Sequence, residues 1–216
     1  MTKEHFQEML IAEREWRIKE LSFSKKISFL YMQPSFRKHI PTYWKFCVPM
    51  IYSHWEGFVV AAIRLVIDYI NNLQIAYNFA PQYLIRLENK RRFSYLQGNC
   101  TFEQQDRFLS EFIAAQSQGI KIQNTTITAN SNLNYSQLER MLFYLNLLSS
   151  PIIASNRDII EKLVWWRNSI AHGENCITVT QTDIEAFISA EMICFDEIIQ
   201  ILVQYIDDLH AQINIL

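Results

Sequence analysis

Arg167, Asn168 and His172 fall within six residues of the stretch VWWRNSIAHGEN, at what reads as the C-terminal end of a helix. Arginine presents a planar, permanently charged fork that matches a phosphate. Histidine is the side chain best suited to give and take a proton near neutral pH. The asparagine can orient the histidine or a phosphate oxygen. Together they could supply proton transfer and stabilisation of charge on phosphorus oxygens, the two needs of phosphodiester chemistry. Arg167 suits the second role and His172 the first, as general acid or base. No metal ligand set and no cofactor motif accompanies them. His5, His39 and His210 have no partners at ligand spacing, HxxxH and HExxH are missing, and a chain with 4 glycines holds no phosphate-binding glycine loop.

The element that positions these residues is legible from its periodicity. With about 100° per residue on a helical wheel, Ile159, Leu163, Trp166 and Ile170 form one apolar stripe, the expected core face. Asn168 lies roughly opposite, with Arg167 and His172 to its two sides. The wheel therefore turns the polar set away from the protomer's core, alongside Val164 and Trp165. An indole beside polar groups outside the core commonly marks a surface covered by another chain. Val164 and Trp165 are thus the expected contacts of a two-fold homodimer, in which two Arg–His sets share a cleft. Ser155 with Asp158 reads as a capping box opening the helix, and Gly173 as the left-handed residue closing it.

The rest of the chain reads as helices packed around that one. At 216 residues, half of them apolar and 13% aromatic, the chain falls within the range of one well-packed domain spanning 1–216. Residues 3–30 alternate apolar and charged positions at helical spacing. The segment from Thr42 to Leu73 is apolar on most faces, as a central core helix is, with Pro49 kinking it or marking its true start. Arg64 and Asp68 interrupt its most apolar run, which argues against a membrane span. Residues 81–97 and 101–116 are further helices, and 119–134 is a polar loop or small hairpin with alternating Ile120, Ile122 and Ile127. Leu138, Met141, Leu142, Leu145 and Leu148 mark another helix, ended by Ser149-Ser150-Pro151. Thr182 with Glu185 caps a long last helix. The fold class is all-α.

A net charge of −2 gives no global attraction to nucleic acid or anionic lipid, so a basic surface must be local. Arg86, Lys90, Arg91 and Arg92, interleaved with Phe93 and Tyr95, form the densest basic patch and the weaker RNA-binding candidate. Cys47, Cys100, Cys176 and Cys194 form no CxxC pair and read as free thiols in a reducing compartment. The charged N-terminus does not resemble a signal peptide, and the expected location is cytoplasmic.

The run Arg167-Asn168-Ser169-Ile170-Ala171-His172 resembles the R-x(4–6)-H signature of HEPN domains, and the following Gly173 fits it. Tyr52 to Phe58, YSHWEGF, is similar to the aromatic-Glu motif of stand-alone MAE-type HEPN-like nucleases. The resemblance implies a HEPN-like helical bundle acting as a metal-independent endoribonuclease, in which the ribose 2′-OH is the nucleophile and the products end in a 2′,3′-cyclic phosphate and a 5′-OH. It implies RNA as substrate, a homodimer, and a role as toxin or antiphage effector with an antitoxin or defence-system protein as partner. Glu56, with His54 in the same motif, would hold Arg167 in place, although a buried Glu more often pairs internally with an Arg. The alternatives are a HEPN-like dimerisation or partner-binding module without catalysis, and an RNA-binding protein without cleavage.

Overall fold

The computed structural model describes all residues except 32, 175, 176, 215 and 216. The described residues form eight α-helices: α1 (Lys3–Tyr31), α2 (Ile40–Asn72), α3 (Gln82–Glu88), α4 (Phe102–Gln116), α5 (Tyr135–Tyr144), α6 (Pro151–Ser155), α7 (Arg157–Ala171) and α8 (Gln181–Asn214). No strand occurs among them. The architecture is the all-α bundle expected from the sequence.

α2 is the axis of the bundle, covered by α1, α7 and α8. Trp55, Phe58, Val59, Ala62, Ile63, Val66, Ile67 and Ile70 are buried along it, and the Phe195 ring of α8 lies 4.2 Å from that of Phe58 and 6.3 Å from that of Trp55. Pro49 sits inside the helix, which starts at Ile40 with Pro41 in its first turn, so Pro49 removes one backbone donor without setting the start. By length and composition alone α2 could cross a membrane, contrary to the inference from Arg64 and Asp68. In this bundle most of its apolar surface is covered by neighbouring helices.

Several helix ends differ from the sequence reading. The segment 81–97 is not one helix: α3 stops at Glu88 and a 3-10 turn, Arg92–Leu96, follows. α5 ends at Tyr144, before Ser149-Ser150-Pro151, because Asn146 takes φ +60° and the Leu147 N–H returns to the Leu142 carbonyl at 3.0 Å. Asparagine here does what glycine usually does after a helix, and it leaves Leu148 exposed. Ser155 does not cap α7. It lies in α6 and donates to the Ile152 carbonyl, while the cap position of α7 is Asn156, whose side chain donates back to the Ile152 carbonyl and makes no capping bond to α7. The box at α8 lies two residues earlier than Thr182 and Glu185: Thr180 Oγ1 accepts from the Asp183 N–H at 3.3 Å, and the Thr180 N–H reaches Asp183 Oδ2 at 3.0 Å. α4 opens with a Thr101–Gln104 capping box.

Residues 119–134 form a loop, the first of the two expectations, rather than a hairpin, and it lies against the bundle instead of projecting into solvent. They run as an extended strap along α2 in the opposite direction, with one isolated bridge between Ala76 and Gly119. Asn71 holds one end: its Oδ1 accepts from the Ile122 N–H at 2.8 Å and its Nδ2 donates to the Ile122 carbonyl at 2.9 Å. Asn124 donates to Asp68 at 3.1 Å. At the other end the Leu133 N–H donates to Tyr52 Oη and Trp55 Nε1 donates to the Leu133 carbonyl, both at 2.8 Å. Ile120, Ile122, Ile127, Ala129 and Leu133 are buried beneath the strap. The alternation seen in the sequence therefore marks a chain lying on a helix rather than paired with another strand.

Buried backbone groups left without partners cost about 1–3 kcal/mol each. Asn71→Ala removes both partners of Ile122 and is expected to lower unfolding free energy by roughly 2 kcal/mol, read as a drop in urea midpoint. Asn124→Ala, which loses an exposed bond, should change the midpoint little.

Candidate active site

α7 ends as its sequence implies. The Gly173 N–H donates to the Ile170 carbonyl at 3.1 Å and the Glu174 N–H to the Ser169 carbonyl at 2.9 Å, with Gly173 at φ +77°. This left-handed closure leaves His172 exposed as the residue that caps the C-terminus of α7. Its side chain makes no hydrogen bond or ion pair among the described residues.

Arg167 is placed differently from the expectation. It turns inward toward α2 and the strap, and only 20% of its side chain is exposed. Its guanidinium carbon lies 3.8 Å over the Tyr52 ring, Nη2 donates to the Ser131 carbonyl at 2.7 Å, and the same nitrogen is 3.9 Å from Glu56 Oε2. Nε is buried without a hydrogen-bond partner. Asn168 Nδ2 reaches Asn132 Oδ1 at 3.3 Å, so both residues are tied to the C-terminal part of the strap. The strap turns there through two successive left-handed residues, Asn130 at φ +52° and Ser131 at φ +55°. That conformation is costly for serine, and its result is a carbonyl aimed at Arg167.

Val164 is also corrected: at 4% exposure it belongs to the protomer's core and cannot line an interface. The buried arc of α7 includes Ile160, Leu163, Val164, Trp166 and Ser169, whereas Ile159 and Ile170 are only partly buried. The reason is the number of neighbours. α2, α8, α5 and α6 all touch this helix, so it buries a wider face than a four-residue stripe. Trp165, in contrast, is 57% exposed. On the same wheel Arg167 and His172 point about 140° apart.

Glu56 lies beside Arg167, on the face it shares with Tyr52 four residues earlier. Burial, with help from Glu56, pushes the Tyr52 hydroxyl up to about 12, so Tyr52 remains a neutral donor and acceptor at any physiological pH. His54 is not part of this cluster. It faces α1, where its Nε2 is 3.3 Å from Glu20 and its ring meets Trp16 edge-on. Sequence reasoning missed Tyr52 as a separate contributor, and missed Trp55, Ser131 and Asn132. Tyr52 could have been found from its i,i+4 spacing to Glu56; the strap residues carry no such signal.

The structure also separates the four basic candidates. Arg86 lies over Phe143, Lys90 donates to the Thr126 carbonyl at 2.6 Å and sits over Tyr144, and Arg92 donates to Asn89 at 2.8 Å. Arg91 is exposed. Among the described residues no group of three His, Cys, Asp or Glu side chains is arranged to hold a metal ion. Cys47, Cys100 and Cys194 are free; Cys176 lies outside the described residues.

Compared with known families, residues 12–212 match the RiboL-PSP-HEPN model. The chain belongs to the RiboL-PSP-HEPN family. The match includes 81–134, which the two HEPN-like motifs alone do not reach. It covers both the helix bearing Arg167 and the helix bearing Glu56. No curated protein and no solved structure matches the chain. Membership of this HEPN family agrees with a nuclease or other RNA-related role.

Burial of His54 holds its ring neutral, and this outweighs the attraction of Glu20. The folded-state value lies below the unfolded one, so acid protonates the unfolded chain first and the contribution is lost as pH falls below about 6.5. The expected result is a urea midpoint that declines between pH 7.5 and 5.5, with a shallower decline in His54→Gln.

Proposed function

We propose that this HEPN chain is a metal-independent endoribonuclease, working as a two-fold homodimer in a toxin or antiphage defence system. The observation that carries the reading is the Arg167 guanidinium, fixed between Tyr52, Glu56 and the strap on the same helix end as an exposed, unpartnered His172. A fixed arginine can stabilise charge on a phosphate without reorganising. An exposed histidine at the helix end is free to meet a substrate.

In the proposed reaction a base takes the proton of the ribose 2′-OH and the oxygen attacks phosphorus. The bond to the 5′-oxygen breaks and an acid protonates the leaving oxygen. Arg167 stabilises the phosphorus oxygens through the transition state, and Asn168 orients His172 or a phosphate oxygen. One histidine must begin neutral and the other protonated, which calls for two imidazoles. His172 of each protomer supplies one of them across the two-fold axis. Trp165, exposed on the His172 side of α7, is the apolar centre of that interface. Since Arg167 and His172 of one chain diverge, a phosphate bridging the two copies meets both groups more readily than one held by a single chain.

The contacts of Arg167 also suit a purely structural arginine, and the second reading is a HEPN-like module that binds RNA or a partner protein without cleaving. Single-turnover assays on labelled RNA in EDTA separate the two. His172→Ala should lose at least about 100-fold in rate, as removal of a general acid–base does, with an unchanged unfolding midpoint because the side chain is exposed. Arg167→Ala should lose cleavage too, and in addition about 1–3 kcal/mol of stability, since the Ser131 carbonyl loses its donor. Arg167→Lys keeps the charge but not the fork and should remain strongly impaired. Wild-type cleavage rates in His172→Ala would exclude the catalytic reading. Trp165→Glu should sediment as a monomer and be inactive; a monomer that still cleaves RNA at nanomolar concentration would refute the shared site.

A further inference from the structure

Between α3, the 3-10 turn after it, α4 and the start of the strap lies a polar cavity of about 190 Å³, lined by Arg91, Arg92, Arg107 and Lys121 with Glu88 and Glu111. Four cations face two carboxylates, an excess of two positive charges. The pairing inside the cavity is uneven. Arg92 lies 3.8 Å from Glu88 and 3.7 Å from Glu111, and Arg107 donates to Glu111 at 3.0 Å. The Arg91 and Lys121 side chains have no hydrogen bond or ion pair among the described residues. The two carboxylates thus hold Arg92 and Arg107 in place, while the uncompensated charge belongs to Arg91 and Lys121.

Such a cavity is smaller than the roughly 300–1,000 Å³ of sites that enclose a whole small-molecule ligand. It suits a single compact anionic group. A guanidinium fork and an ammonium are together the usual partners of a phosphoryl oxygen set.

The strap connects this cavity to the candidate active site. Thr126 lines the cavity, and its carbonyl is pinned by Lys90. Five residues further on, Ser131 presents its carbonyl to Arg167. Five residues span at most about 17 Å, the length of roughly five stacked nucleotides at about 3.4 Å each.

We infer that the cavity is a phosphoryl-binding subsite for the RNA strand whose scissile phosphate lies at Arg167. The inference rests on the nuclease reading for its substrate but not for its binding geometry. In this arrangement the 81–134 segment holds the strand a few nucleotides from the point of cleavage and so sets which phosphate reaches Arg167.

The test is binding of a fluorescent 2′-O-methyl RNA strand, which lacks the nucleophile, to the full chain in EDTA by anisotropy over a range of salt. Arg91→Ala/Lys121→Ala, both exposed positions, should melt like wild type. It should bind about tenfold more weakly, with the log–log salt slope smaller by about 0.7, the value for one single-strand phosphate. A loss confined to strands bearing a 5′-phosphate identifies a terminal phosphoryl group in the cavity, and a loss independent of it an internal phosphodiester. Unchanged affinity and slope, or no strand binding by wild type, would overturn the subsite. So would loss of inorganic phosphate binding with RNA affinity intact, which would make the cavity a site for a free anion. Cleavage of unmodified RNA is read separately from binding. Arg91- and Lys121-dependent binding without any wild-type cleavage would therefore reject the catalytic reading alone.

Discussion

The structure depends on how the strap's backbone is satisfied. A segment without helix or sheet that lies on a bundle buries peptide groups, and each needs a partner. α2 provides them from both ends: Asn71 pairs with both groups of Ile122, while Tyr52 and Trp55 pair with the N–H and carbonyl of Leu133. The Ser131 carbonyl falls to α7, which answers with Arg167. The charge at the centre of the site is thus part of the same hydrogen-bonding scheme that fastens the strap. A guanidinium in that position is largely enclosed, and the Tyr52 face and the Glu56 carboxylate replace part of the water it has lost.

That arrangement sets limits on the chemistry. An arginine held from three sides gives directional charge at little further entropic cost, which favours transition-state stabilisation. It cannot also swing round the helix to meet His172 of its own chain. The left-handed pair Asn130 and Ser131 is the local strain that aims the carbonyl, and strain of this kind persists only where surrounding contacts hold it. Tyr52 contributes twice, through its ring under Arg167 and its hydroxyl to Leu133, which explains why an aromatic residue with a polar tip stands four positions before Glu56.

The sequence disclosed the helices with strong periodicity, α1, α2, α7 and α8, because their apolar faces repeat over many turns. It also disclosed the Gly173 stop and the outward position of Trp165. Helix ends set by a single residue were harder: Asn146 closes α5 through a conformation that asparagine adopts only in context, and Thr180 rather than Thr182 caps α8 because Asp183 is the residue within reach. Val164 and Arg167 were misplaced on the wheel for one reason. Amphipathicity identifies the most apolar face, whereas burial depends on how many neighbours a helix has, and α7 has four. The strap's alternation was visible at Ile120, Ile122 and Ile127, but its partner, a helix rather than a strand, is a long-range property that no local pattern encodes.

The central claim is that Arg167 and His172 cleave RNA by proton transfer and charge stabilisation alone. Identification of the fragment ends made by purified protein in EDTA tests it most directly. The expected ends are a 2′,3′-cyclic phosphate on the upstream fragment and a 5′-hydroxyl on the downstream one. Fragments ending in 3′-hydroxyl and 5′-phosphate, which require water rather than the ribose as nucleophile, would contradict it, as would RNA left intact by protein that is folded and dimeric.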